Sequence, residues 1–278
     1  VVSISLVFAL GCSKRSPDIS LSTKALELHF KNKTYLDEVM TISDQRHLLE
    51  RTGFGAPLVS IKKLKGKTRR QGVQIIVDGL QRNSWNPPPS WVREVSPPYW
   101  ARGDMEEPEK QKFNMARDRE MGEFRLWWVK EMIETPSPQT ERLVLFWHNH
   151  FVSTYPALDE KSTSLARQNL MFRKQGSGNF RVMLKEIIRD AAMLNYLDND
   201  NNKRNAPNEN LARELLELFT LGEGNYDEQT VKEAARALTG YRTNELKNLS
   251  FEISPWDQDR GLKKILGSWG FHLSLIHI

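Results

Sequence analysis

Apolar residues recur at helical spacing through most of this chain, and this repetition constrains its fold more than any other feature. Val73, Ile76, Val77 and Leu80 show the pattern, since residues three and four apart share one face of an α-helix. The helices predicted in this way cover residues 43–51, 68–81, 108–134, 140 to about 147, 162–174, 179–194, 208–221 and 228–239. With one clear strand at 249–253, the predicted fold class is mainly α, a compact multi-helix domain with a minor β element.

Capping and breaking residues mark the ends of these segments. Ser43 and Asp227 are the predicted N-caps, because their side-chain oxygens can accept hydrogen bonds from the first turn. Gly222 and Gly240 are the predicted stops.

The beginning of the chain indicates export. Val1–Gly11 is an apolar run broken only by two serines; it is too short to span a bilayer and suits a signal peptide. The block Ala9-Leu10-Gly11-Cys12 resembles a bacterial lipobox, so the chain is predicted to be periplasmic or a lipoprotein anchored through Cys12. The alternative is a buried N-terminal strand with an ordinary core cysteine.

Four regions follow from these features. Residues 1–20 are the predicted export segment, 21–42 a lead-in, and 43–267 the helical domain. Residues 272–278 break abruptly from what precedes them, so the tail 268–278 is predicted to be non-native or fragmentary.

The charge distribution is mildly basic. The net charge of the 278 residues is +5, and the dense basic run consists of Lys62, Lys63, Lys65, Lys67, Arg69 and Arg70. Such a run can form a patch for nucleic acid or lipid headgroups, or it is simply solvated. No aromatic residues interleave the charges, so a nucleic-acid partner is not predicted. No glycine-rich phosphate loop occurs either, which disfavours the usual nucleotide enzymes.

The block Trp147-His148-Asn149-His150 is the most suggestive of chemistry. Imidazole is a common metal ligand, and if the preceding helix ended near Trp147, His148 and His150 would face one cavity with Asn149 between them. A divalent metal is the predicted cofactor on that reading. The alternative is a pair of histidines that are hydrogen-bonded to the backbone at a helix end.

A second candidate lies on the helix that Asn208 is placed to cap. Glu209, Arg213 and Glu217 are spaced to share a face and pair. Glu214 lies nearer the apolar stripe, where a carboxylate is costly to bury unless it is paired or metal-bound. The alternative is a surface ladder of ion pairs.

The third candidate is the Asp- and Asn-rich segment 194–202, which includes Asp198. Its oxygen ligands suit a hard cation such as Ca²⁺, but the spacing of an EF-hand loop is not met. A solvated turn is the alternative. Arg46-His47 and the glycine-containing segment 51–55 form a fourth cluster, in which His47 is a candidate or a helix-face residue.

Several blocks together resemble the bacterial domain-of-unknown-function family 1800, over about residues 43–267. The blocks that carry the resemblance are 46–57, 146–152, 208–222, 224–226 and 233–240. The resemblance implies a large, mainly helical, exported protein that is often encoded beside a second family of unknown function, which would be its partner; it implies no settled activity. Gln258 stands where the family pattern tends to have histidine, and the family domain continues past residue 278.

Two functions remain open. In the first, the chain is a metal-assisted hydrolase of the cell envelope: His148 and His150 bind the metal, and Asp198 or Glu214 completes the shell or acts as general base. In the second, it is a non-catalytic envelope protein that binds a partner protein or a surface glycan, with the proline- and tryptophan-rich segment 83–100 as an aromatic surface.

Overall fold

The computed structural model describes residues 33–272. The predicted export segment, including Cys12, and residues 273–278 of the predicted tail lie outside that range. Within it the helices are α1 Lys33–Asp37, α2 Ile42–Thr52, α3 Leu58–Leu64, α4 Arg69–Asp78, α5 Glu107–Glu134, α6 Pro138–His150, α7 Ser162–Gln175, α8 Phe180–Ile187, α9 Ala191–Tyr196, α10 Asn210–Glu217 and α11 Glu228–Ala237. The strands are β1 Tyr241–Asn244, β2 Ser250–Ile253, β3 Lys263–Ile265 and β4 Ser268–Gly270. The predicted fold class, mainly α with a minor β element, is confirmed.

Side-chain caps decide where several helices begin. The prediction of Ser43 as a cap is wrong, because Thr41 caps α2 in a reciprocal capping box with Asp44. Asp227 caps α11 as predicted. The segment predicted as one helix over 179–194 is two, since the carboxylate of Asp190 accepts a hydrogen bond from the backbone N–H of Met193 and starts α9.

The chain divides into two compact units, one ending at Leu80 and the other beginning at Gln81. In the first unit, α2, α3 and α4 enclose a small core formed by Met40, Leu49 and Leu64. In the second unit, α6 to α11 surround a larger core that includes Trp147 and Phe151.

Two antiparallel hairpins complete the second unit. In the first, Tyr241 of β1 lies opposite Ile253 of β2. In the second, Lys263 of β3 lies opposite Gly270 of β4, so the first residues of the predicted tail are paired in a strand.

Gly240 links α11 to these hairpins at a close approach between backbones. Its φ of +78° is in the left-handed region, and a Cβ at this position would come 2.7 Å from the carbonyl oxygen of Ser254. Its N–H donates to the carbonyl of Asn202, and its own carbonyl accepts from the N–H of Ser254. Gly240 therefore holds the segments around 202 and 254 together.

No helix within residues 33–272 combines the length and the apolar character that a transmembrane span needs.

The close approach at Gly240 can be tested against a matched glycine. Gly267 also has a positive φ, of +81°, but a Cβ there would meet nothing within 4 Å. We expect Gly267→Ala to lower the free energy of unfolding by about 1 kcal/mol through backbone strain alone. Gly240→Ala should cost about 1–3 kcal/mol more, because the methyl group also meets fixed backbone. Urea denaturation of both variants measures the difference, and equal losses would contradict it.

Candidate functional site

The histidine block lies inside a helix rather than beyond its end. The expectation that the helix ends near Trp147 is wrong, because α6 continues to His150. Each helical residue adds about 100° of rotation, so residues two apart point to nearly opposite sides. The imidazoles of His148 and His150 therefore enter different surroundings.

The imidazole of His148 is enclosed by aromatic rings and by an amide. Its centroid lies 4.9 Å from that of Trp128 and 4.8 Å from that of Phe172. Nε2 lies 3.1 Å from Nδ2 of Asn169. The guanidinium of Arg173 can only donate, and it donates to Oδ1 of Asn169 at 2.8 Å, so Nδ2 of that amide must donate to Nε2.

This direction of hydrogen bonding fixes the protonation state of His148. Nε2 accepts, so the proton of the neutral ring lies on Nδ1, and neither nitrogen keeps a lone pair for a metal ion. Burial, followed by the positive charge of Arg173, lowers the pKa of His148 to about 3. The His148 ring is therefore a neutral part of the core.

Behind Asn169 lies a buried ion pair. Oε1 and Oε2 of Glu141 accept hydrogen bonds from Nε and Nη2 of Arg173 at 3.1 and 2.5 Å. Oε2 of Glu141 also accepts from Nε1 of Trp128 at 3.0 Å. Both charged side chains are 1% exposed. We call Trp128, Glu141, Arg173, Asn169 and His148 the buried network; it joins α5, α6 and α7.

His150 is held on the other side of α6. Its Nε2 lies 3.2 Å from the carbonyl oxygen of Phe219, and because a carbonyl only accepts, this nitrogen donates. The ring stacks nearly parallel to Phe146, with an interplanar angle of 4°. Asn149, between the two histidines, is exposed.

The residues predicted to complete a metal site are not assembled with these histidines. Asp198 is exposed, and its carboxylate accepts from the amides of Asn201 and Asn208. Glu214 is half-buried on α10, where burial and the nearby Glu217 raise its pKa. Over the described part of the chain, no group of three or more His, Cys, Asp or Glu side chains is placed to hold a metal ion.

The charged residues of α10 form only the first pair of the predicted ladder. Arg213 forms ion pairs with Glu209 at 2.8 Å and with Glu228 of α11 at 2.5 Å. Glu217 instead accepts from the hydroxyl of Tyr226 at 3.0 Å. The N-cap position of α10 is Glu209, which makes no side-chain cap hydrogen bond, so the prediction that Asn208 caps this helix is wrong by one residue. The side chain of Asn208 accepts instead from the N–H of Asn210, the first helical residue. These pairs connect α10 with the beginning of α11.

The Asn-rich segment is not a solvated turn throughout. Asn199 and Asn202 are both 1% exposed. Asn199 donates to the carbonyls of Leu238 and Tyr241, and Asn202 donates to that of Ala235. Sequence reasoning missed this role; the pairing of buried amides with the carbonyls at the end of α11 gives no local spacing signal.

His47 lines a cavity of about 620 Å³ in the first unit. Its walls are mainly apolar, with Met40, Leu48 and Val73 among them. His47 is exposed. The residues around it in the sequence did not predict that it would line a cavity.

The segment 83–100 is only partly available as a surface. Trp91 packs against the core that contains Phe124, and its Nε1 donates to Glu123. Trp85 is 64% exposed and Trp100 is 56% exposed.

A second cavity, of about 360 Å³, lies in the second unit and was not predicted from the sequence. We call it the Trp256 pocket. It is lined by Arg204, Pro255, Trp256, Gln258 and Arg260. The indole of Trp256 is 83% exposed, and both arginines are exposed. Within residues 33–272 neither guanidinium has a carboxylate within ion-pair distance.

Backbone hydrogen bonds hold the two segments of this pocket together. The N–H of Arg204 donates to the carbonyl of Asp257 at 2.8 Å. Ser254 is fixed by its N–H to the carbonyl of Gly240 and by its hydroxyl to Asp257. These hydrogen bonds therefore fix the backbone of both segments that line the pocket.

Charged side chains fix the far end of the same loop. Asp259 forms an ion pair with Arg236 of α11 at 2.7 Å. The buried ammonium of Lys263 donates to the carbonyls of Asp259 and Gly261 at 2.7 and 2.9 Å. Burial lowers the pKa of Lys263, and Asp259 opposes that shift.

Residues 47–270 match the family described as protein of unknown function (DUF1800). The match covers most of the chain, and the protein belongs to this family. No curated protein and no solved structure was matched.

The buried ion pair gives a stability prediction. Glu141→Gln leaves the charge of Arg173 buried without its counterion, so we expect the free energy of unfolding to fall by about 3–5 kcal/mol. The control is Glu134→Gln, which removes the exposed contact with Lys130 at 3.8 Å and should change it by about 0.5 kcal/mol or less. Chemical denaturation measures both, and similar losses would show that the network is not a major source of stability.

The lowered pKa of His148 gives a pH prediction. The unfolded histidine titrates near 6.5 and the folded one near 3, so the unfolded state binds more protons between these values. The stabilisation is present above pH 6.5 and is lost as the pH falls towards 3, by up to about 1.4 kcal/mol per pH unit. In His148→Gln, whose amide can still accept from Asn169, this part of the slope should disappear. Denaturation between pH 4 and 7 tests it, and exposed His47→Gln should keep the wild-type slope.

Proposed function

We propose that this DUF1800 member is an exported, non-catalytic protein of the cell envelope that binds an acidic surface glycan in the Trp256 pocket. The observation that carries the proposal is an indole that is 83% exposed on a hydrogen-bonded loop and lines one pocket together with two exposed arginines. Export is supported by the apolar segment and Cys12 of the sequence, which lie outside the described residues.

The lining of the pocket matches the chemistry of such a ligand. One face of a sugar ring presents mainly C–H groups and can lie against an indole, whose large apolar surface gains from being covered. Guanidinium groups bind carboxylate or phosphate through paired N–H donors. Arg204 and Arg260 therefore supply recognition of the acidic group, and Trp256 supplies stacking.

Preorganisation strengthens this proposal. Ligand sites are commonly concave and already formed, since ordering a loop on binding costs free energy. The contacts of Gly240, Asp257 and Asp259 order the pocket loop through the chain's own hydrogen bonds.

The histidine block supports a non-catalytic function. Nε2 of His148 accepts from Asn169 of the buried network, which leaves the ring proton on Nδ1, and His150 donates to a backbone carbonyl. Metal-assisted hydrolysis through His148, His150, Asp198 and Glu214 stays a prediction from the sequence that the placement of these side chains does not favour. An exported partner protein also stays a prediction.

The test compares two polysaccharides and two matched triple variants. Isothermal titration with polygalacturonate, which is acidic, and with dextran, which is neutral, measures binding to the full chain. Trp256→Ala/Arg204→Ala/Arg260→Ala should weaken binding of polygalacturonate at least about tenfold, which corresponds to about 1.4 kcal/mol. The control Trp85→Ala/Arg82→Ala/Arg93→Ala removes the same residue types from the proline- and tryptophan-rich region and should change binding less than about twofold.

Each outcome decides the proposal. An equal loss of polygalacturonate binding in both triple variants would mean that the basic chain binds polyanions non-specifically. A loss of binding in the control variant alone would mean that the ligand binds at segment 83–100 instead. Shortening of the polymer during incubation, measured by size-exclusion chromatography, would overturn the non-catalytic part of the proposal.

A further inference from the structure

We infer that the first unit carries a surface that docks on an anionic lipid bilayer. It consists of Leu58, Val59, Lys62 and Lys63 on α3 together with Lys65 and Lys67, and we call it the lysine face. This inference concerns a different unit from the Trp256 pocket and does not depend on the proposed function.

The lysine face follows from the orientation of α3. Leu64 of this helix is 1% exposed and packs in the core with Met40 and Leu49. On the other side, Leu58 and Val59 are 76% and 63% exposed. Residues three and four apart share a helix face, so Lys62 and Lys63 lie one turn beyond the two aliphatic side chains. Both lysines are exposed.

The chain turns immediately after α3 and adds two further exposed lysines. Gly66 has a φ of +73°, and the N–H of Lys67 donates to the carbonyl of Leu64. Lys65 and Lys67 are therefore held within one tight turn of the helix end.

The charge of this surface is not balanced locally. Residues 51–77 contain seven lysines and arginines and no aspartate or glutamate. Arg69 and Arg70 are paired, with Glu38, Asp44 and Asp37. The four lysines of the lysine face have no such ion pair within the described residues.

The combination of aliphatic and ammonium groups favours a bilayer over a nucleic acid. Aliphatic side chains can enter the boundary between headgroups and acyl chains, while lysines reach the anionic headgroups. A nucleic-acid site would be expected to offer stacking aromatic rings, and the lysine face as defined has none. Each lysine near an anionic surface contributes roughly fivefold in partitioning.

Vesicle binding tests the inference on the full chain carrying Cys12→Ser, which prevents lipidation. Co-sedimentation is measured with phosphatidylcholine vesicles and with vesicles in which a quarter of the lipid is phosphatidylglycerol. We expect a clear preference for the anionic vesicles that weakens as salt is raised. Lys62→Gln/Lys63→Gln/Lys65→Gln/Lys67→Gln should lower this partitioning at least about tenfold, and Leu58→Ser/Val59→Ser should lower it about threefold or more.

Matched variants of the second unit are the controls. Lys112→Gln/Lys174→Gln/Lys203→Gln/Lys232→Gln removes the same charge from exposed positions. Leu126→Ser/Val129→Ser removes side chains that are 74% and 51% exposed. Both controls should keep partitioning within about twofold of the parent chain, and thermal unfolding monitored by circular dichroism confirms that every variant is folded.

Three results would overturn the inference. The first is equal partitioning into neutral and anionic vesicles. The second is an equal loss in the two lysine variants, which would reflect net charge alone. The third is that the chain does not bind anionic vesicles but binds a single-stranded oligonucleotide, and that this binding needs the four lysines and is unaffected by Leu58→Ser/Val59→Ser.

Discussion

The buried ion pair between Glu141 and Arg173 is the interaction on which the second unit depends. Removing two charges from water is costly, and the cost is offset only when the remaining donors and acceptors are also satisfied. Here Trp128 and Asn169 satisfy them. A shift of any one of the helices α5, α6 or α7 would leave a buried charge or amide without its partner, so the network specifies how these three helices pack.

The same network explains why the histidine block is structural. Asn169 donates to His148 because its carbonyl is already engaged by Arg173. The ion pair thus determines the tautomer of a ring on the neighbouring helix. An imidazole held in this way excludes the second proton and the metal ion that its residue type would otherwise suggest.

Helical periodicity predicted most of the fold because each helix depends on local spacing and on its own caps. The predictions fail where a distant contact or a neighbouring side chain determines where a helix begins or ends. Thr41 replaces Ser43 as a cap because Asp44 is three residues after it, and Asp190 interrupts 179–194 by capping a new turn. The histidine block was misjudged because one further turn of α6, which the sequence does not mark, separates the two imidazoles. The Trp256 pocket was missed because Arg204 is joined to it through a backbone hydrogen bond, about fifty residues away in the chain.

Gln258 gives the Trp256 pocket a floor that is almost fully buried and carries no ionisable group. A histidine at this position would change its charge near neutral pH. With the amide, the charged residues lining the pocket are two arginines, and no histidine is among its lining residues. In the envelope location that we propose, this pocket therefore lacks the group through which external acidity would most readily change its attraction for an anion.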